Sequence, residues 1–166
     1  MPYQEDEITN DTVSFEAGVA AGTLKNREIN EASGMDMSIR NPGVLWTHND
    51  SGDKPQLYLI DTAANHLRTF TVEDSQNRDW EDIAVGRDKV TGISRIFIAD
   101  IGDNLSVYDH GRIYVIDEPA TSTPDSTLKP GGRILFRYPD GKRDAETIMV
   151  DPASSDIYLV SKRETN

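Results

Sequence analysis

No cysteine occurs in the 166 residues, so disulfides and thiolate-held metals are excluded, and redox chemistry gives no compartment. Basic residues are scarce: 17 Lys and Arg stand against 29 Asp and Glu, a net charge of −12. Binding a phosphate backbone needs a basic face, so no nucleic-acid partner is expected. No run approaches the roughly 18 apolar residues of a membrane span, so no span is expected. The first residues do not read as a signal peptide, charged and then apolar. No window of helical length carries a 3.6-residue period. Gly-x-Ser-x-Gly, a Walker loop and His-Glu-x-x-His are all missing, which removes the chemistries those motifs mark.

What is present is short and β-like. Segments rich in Val, Ile, Tyr, Phe and Thr alternate with Gly, Pro, Asn and Asp, the pattern of strands and turns. It predicts strands at 13–19, 34–39, 43–49, 56–61, 66–72, 82–86, 94–100, 112–117, 132–138, 147–151 and 156–162. Residues 1–12, MPYQEDEITNDT, read as a disordered, solvated tail. Asn41-Pro42-Gly43 and Asp140-Gly141 are turn signals, with Pro fixing φ and Gly tolerating positive φ. Residues 118–131, EPATSTPDSTLKPG, read as an insertion.

The segments recur. One copy starts at Glu31, a second at Glu81, and a third at Glu146 stops after its second strand. Each opens with Glu and a short strand, then turns into a second strand: VLWTHND, RIFIAD or DIYLVSK. The first two copies share Asp-x-Gly-Asp, Asp50 to Asp53 and Asp100 to Asp103, and then LYLID matches IYVID. Four antiparallel strands at a period of roughly 50 residues describe a β-propeller blade. The expectation is therefore an all-β propeller over 13–166, C-terminally incomplete, with about two and a half to three blades. That count suits a fragment of a larger ring or a ring of several chains; a plain β-sandwich is the alternative. Open blade edges would permit self-association.

In a propeller the first strand of each blade lines the channel, so equivalent residues gather around the axis. Glu31, Glu81 and Glu146 are the expected carboxylate ring, and Asp50, Asp100 and Asp103 lie at second-strand ends on the same face, with Asp53 and Asn104 beside them. Ionised carboxylates held together repel one another, and a divalent cation removes that cost. Oxygen-only ligands select Ca²⁺ or Mg²⁺, and six to eight of them favour Ca²⁺. Asx-capped turns are the structural alternative for each aspartate. His48 is the candidate general base, or a hydrogen-bonded structural histidine. Lys162 and Arg163 are candidates to receive an anionic substrate, or to pair with the glutamates. Trp46 and Trp80 are expected between blades, and His66 and His110 carry no signal.

NEASGMDMSIRNPGVLWTHNDSGDKPQLYLID, DWEDIAVG, IADIGDN and DAETIMVDP with DIYLVSKR resemble a bacterial, usually exported β-propeller family whose own activity is poorly defined. The resemblance covers roughly 28–166 and extends loosely to phytase-like, SdiA-regulated and TolB-like propellers. It implies an extracellular or periplasmic location. It also implies a metal held in the channel by Glu, Asp and Asn, as in calcium-dependent phosphoesterases and lactonases. Carried over, Glu31, Asp50, Glu81, Asp100 and Glu146 are the implied metal positions. The functions expected are a Ca²⁺-dependent hydrolase of phosphoesters or lactones, or a non-catalytic binding or scaffold propeller. The partner would be a small anionic molecule or another protein.

Overall fold

The run Ser94–Asp100 places Ile96 and Ile98 on one face of a strand and Phe97 and Ala99 on the other, all of them buried. Such a strand needs cover from two sides. The computed structural model, which describes residues 14–162, supplies it. The first sheet contains β1 (Ala32–Met37), β2 (Val44–Asn49), β3 (Gln56–Asp61) and β4 (His66–Val72), paired antiparallel in that order. The second contains β5 (Trp80–Arg87), β6 (Ser94–Asp100), β7 (Gly111–Asp117) and, past the two-residue β8 (Thr127–Leu128), β9 (Gly132–Phe136). The third pairs β10 (Ala145–Val150) with β11 (Ile157–Ser161). The described chain is thus all-β, with 11 strands in three sheets, no helix, and no sheet closed on itself. No helix among the described residues is long and apolar enough to cross a membrane.

Two cores explain the stacking. Trp46, Leu57, Leu59 and Phe70 of the first sheet meet Trp80, Ile96, Ile98 and Tyr114 of the second. Phe97, Ala99 and Ile113, on the second sheet's other face, meet Ala145 and Ile148 of β10. Both tryptophans therefore lie between sheets, as expected, with neither exposed at all. Fully burying side chains of this size contributes on the order of 1.5–3 kcal/mol each.

The first strands of the three sheets run side by side. A Cβ on Gly34 would lie 2.6 Å from the Ile83 backbone nitrogen, so only glycine lets β1 come this close to β5. Two carboxylates stitch the strands by accepting backbone N–H groups. Asp36 Oδ2 takes that of Val85 at 2.7 Å, and Asp82 Oδ2 takes that of Ile148 at 2.9 Å. Ser33 Oγ donates to the Glu81 carbonyl at 2.7 Å. The starts of β1, β5 and β10 are thereby gathered at one place.

Three expectations meet a different outcome or fall outside the description. Residues 14–19 form no strand and are exposed. The 1–12 tail lies outside the described residues. Residues 118–131 are more than an insertion, because they return to the first sheet. There β8 pairs in parallel with β4, with Thr71 opposite Thr127 and Val72 opposite Leu128. Leu128 is buried in the first core. The Arg68 guanidinium donates to the carbonyls of Thr121, Thr123 and Asp125. The loop thus covers an edge that β4 would otherwise leave open.

Candidate metal centre

The Arg-Asp-x-Glu spelling at 78–81 and 143–146 has a structural cause. Pairing of β5 with β6 slips between Trp80 and Asp82, and pairing of β10 with β11 slips between Ala145 and Thr147. Glu81 and Glu146 are the extra residues. A β-bulge re-aims the side chain of its extra residue out of the sheet's alternation. The preceding aspartates hold a shared backbone position. The Asp79 carbonyl accepts the Ile101 N–H at 3.2 Å, and the Asp144 carbonyl accepts the Lys162 N–H at 2.8 Å. In the first sheet the Glu31 carbonyl does the same for the Asp50 N–H at 2.9 Å. Glu31 therefore corresponds to Asp79 and Asp144, and Ser33 to Glu81 and Glu146. The equivalence expected between Glu31 and Glu81 is off by two residues.

Five carboxylates converge as two sets of three that share Glu81. Asp50, Asp79 and Glu81 form one set, and Glu81, Asp144 and Glu146 the other, each with ligand oxygens within 4.8 Å of one another. Oxygens bound to one Ca²⁺ at 2.3–2.6 Å lie at most about 5 Å apart, so each set fits around one ion. Burial first, then the carboxylates of Glu146, Asp50 and Asp79, pushes the Glu81 carboxyl up to about 8. Burial and the neighbouring Asp50 carboxylate raise Asp79 as well. Among the described residues Lys162 supplies a counter-charge here: its ammonium pairs with Glu146 and lies 3.9 Å from Asp144 Oδ2. The five carboxylates make an all-oxygen donor set, suited to a hard divalent cation.

Gly102 is the cradle of this arrangement. A Cβ there would stand 2.3 Å from Glu81 Oε1 and 2.4 Å from Asp79 Oδ2. The two Asp-x-Gly-Asp motifs thus use glycine differently. Gly52 has a φ of +80° with open space beside it, whereas Gly102 makes room for carboxylates. Gly102→Ala is expected to displace Glu81 and Asp79 and, for any divalent cation that the cluster takes up, to weaken affinity by at least about tenfold, or 1.4 kcal/mol. Calorimetric titration of the variant with Ca²⁺ checks this, and unchanged affinity would show that the carboxylates are not gathered around Gly102 when they bind.

Of the residues predicted to hold metal, Asp50, Glu81 and Glu146 are brought together. The exposed Glu31 and the aspartates Asp100 and Asp103 belong to neither set of three. Asp100 is fully buried between Arg78 and Arg112, at 3.6 and 3.5 Å, and accepts the Asp79 N–H at 2.9 Å. Burial raises its pKa against those favourable contacts. Asp103 accepts the N–H groups of Val107 and Tyr108 at 2.8 and 2.9 Å, holding its own loop. Asp53 accepts the Lys54 N–H at 2.7 Å, in a turn. His48 is fully buried, its Nδ1 is 2.9 Å from the Asn49 carbonyl, and its ring sits edge-on to Trp80. Burial lowers its pKa, and no solvent-borne substrate reaches it to use it as a base. Lys162 is engaged by carboxylates rather than open to an anion, and Arg163 lies outside the described residues. Asp79 and Asp144 are not among the expected ligands, although each stands two residues before a glutamate that is.

Comparison with family models, with curated proteins and with solved structures returns no match. The class that fold and site define is an all-β chain with a five-carboxylate cluster at the starts of β5 and β10 and the end of β2.

Proposed function

We propose that the three sheets are blades of a β-propeller and that their first strands hold a divalent cation, Ca²⁺ before others, at a channel mouth. The observation that carries this reading is the position of Glu81 in both carboxylate sets. The side-by-side first strands and the antiparallel order of the two complete sheets support the propeller. Asp50, Asp79, Glu81, Asp144 and Glu146 would be the ligands. A bound Ca²⁺ supplies Lewis acidity toward a phosphoester or lactone oxygen, which makes a calcium-dependent hydrolase the catalytic form of this proposal. Asp50, Asp79 and Glu146 are only half-buried, which leaves that side open to substrate and water.

The burial of His48 favours a second reading, in which the cation is structural and the protein binds or scaffolds without turnover. Thermal unfolding in Ca²⁺, in Mg²⁺ and in chelator tests the cation. At 100 times the dissociation constant, binding stabilises the native state by about 2.7 kcal/mol, and the expected result is a rise in Tm with Ca²⁺ concentration. No rise with either ion would leave a protonated, lysine-paired cluster and overturn the proposal. Hydrolysis of aryl phosphates or lactones that depends on Ca²⁺ then separates the enzyme from the binding module.

A further inference from the structure

The cations of this acidic chain are not spread evenly. Arg78, Arg137, Lys142 and Arg143 line one cavity of about 420 Å³ together with Tyr108 and Tyr138. The carboxylates of Asp103 and Asp109 share the lining, and Asp140 pairs with Arg143 at 2.6 Å. Arg78 also shares the buried Asp100 with Arg112, at 3.6 and 3.5 Å, so among the described residues four cations meet four carboxylates here, a locally balanced wall in a molecule of net charge −12. Much of the negative charge is already engaged. Asp103 is occupied by two backbone N–H groups, and Asp109 is 74% exposed, where solvent screens its hold on Lys142 at 3.0 Å.

The cationic wall has one fixed part and one open part. Arg78 is fixed. Its Nη atoms donate to the carbonyls of His110 and Asp100 at 3.3 and 3.0 Å, and its guanidinium lies 3.8 Å above the Tyr108 ring. Arg137 is open. Only its Nε is engaged, donating to the Asp109 carbonyl at 3.1 Å, and neither terminal nitrogen meets a protein acceptor among the described residues. A guanidinium with both terminal nitrogens available matches two oxygens of one carboxylate or phosphate. The two tyrosines give the cavity ring surface of the kind that orients an apolar body.

The Arg-Asp-x-Glu motifs connect the two regions. Their Asp and Glu side chains form the carboxylate cluster, while their arginines, Arg78 and Arg143, line this cavity. Between the two, Asp144 Oδ1 accepts the Asp103 N–H at 2.9 Å. We propose that the cavity binds a small organic anion. Its carboxylate or phosphate would sit on Arg137 and Lys142, and a planar body would lie against Tyr108 and Tyr138. This inference does not depend on cation binding by the carboxylates.

The test is an NMR titration in chelator with phenyl phosphate and with benzoate, using benzyl alcohol as the neutral control. Saturable shifts are expected at the Tyr108 and Gly111 amides and at Arg137 Nε. Arg137→Gln with Lys142→Gln should weaken binding at least about tenfold, and Arg137→Lys, which keeps the charge and loses the fork, should fall between. Either probe behaving this way supports the proposal, and the pair shows which oxyanion fits. It is overturned by the absence of saturable shifts up to about 10 mM, the weak end of small-ligand affinity. An equal response to benzyl alcohol, or unchanged affinity in the double variant, overturns it too.

Discussion

Glu81→Gln is expected to remove the calcium-dependent rise in stability that the proposed cation site predicts and, without calcium, to leave the protein more stable than the parent at alkaline pH. Glu81 sits in both carboxylate sets, so its loss takes one ligand from each. Its folded-state pKa of about 8 lies above the ordinary 4.5. A pKa raised by folding means that the group's contribution to stability is complete below about 4.5 and is lost as pH rises through about 8. Gln mimics the protonated form and escapes that loss. The advantage of the variant in chelator should therefore grow between those two values and level off above the upper one. Calcium needs the ionised form, so its binding to the parent should release a proton across the same window, and affinity should climb until about pH 8. Urea unfolding in chelator at pH 5 and pH 9, with calcium titrations in buffers of different ionisation heat, checks both halves. A variant that still binds calcium as the parent does, or a parent whose calcium-free stability is flat across the window, would sink the assignment.

Strand positions were legible because burial on two faces leaves a direct trace in composition. IFIA and IAV are apolar without alternation, and each of those strands is covered by a core on both sides. The site was legible only in part. Aligning the copies by their glutamates found Glu81 and Glu146, but it equated them with Glu31. A bulge adds one residue to the strand without changing the alphabet of the sequence, so the register in which Glu31 matches Asp79 appears only in the hydrogen bonds. Asp100 and Asp103 looked like ligands by their place at the end of a second strand. Their counter-charges and N–H donors come from Arg78, Arg112, Val107 and Tyr108, and their pairing is a matter of folding. The reach of residues 118–131 back to the first sheet had no local signal either. A two-residue strand inside a Pro and Ser/Thr loop carries no period.

The residue at the head of that loop is expected to matter more to stability than any carboxylate of the five-membered cluster. Glu118 directly follows β7 and is 1% exposed. Its Oε1 accepts from Ser38 Oγ and from Trp46 Nε1, the latter at 2.9 Å, and its Oε2 accepts from Ser94 Oγ and from the Arg40 N–H, the latter at 2.9 Å. The Arg40 guanidinium donates in turn to the Glu118 carbonyl at 2.9 Å. Three of these donors, those of Ser38, Arg40 and Trp46, belong to the first sheet or its β1–β2 turn, while Ser94 begins β6 of the second. The carboxylate thus fastens the two sheets beside their shared core. Glu118→Ala removes four accepted hydrogen bonds at once and leaves two hydroxyls, an indole and an amide without their acceptor. Each buried orphan costs about 1–3 kcal/mol, although such terms do not add, and hydrogen bonds to a charged group contribute about 1.5–3 kcal/mol each. Against a typical total of about 5–15 kcal/mol, that is a large share. Glu118→Gln keeps the shape but turns an amide NH₂ toward two of the donors, so it should cost less than Ala and more than a surface substitution. Equilibrium urea unfolding of both variants, read by the fluorescence of the buried Trp46 and Trp80, gives the values. If Glu118→Ala lowered stability by less than about 1 kcal/mol, the loss expected for a single neutral hydrogen bond, the two sheets would be held by their apolar core alone.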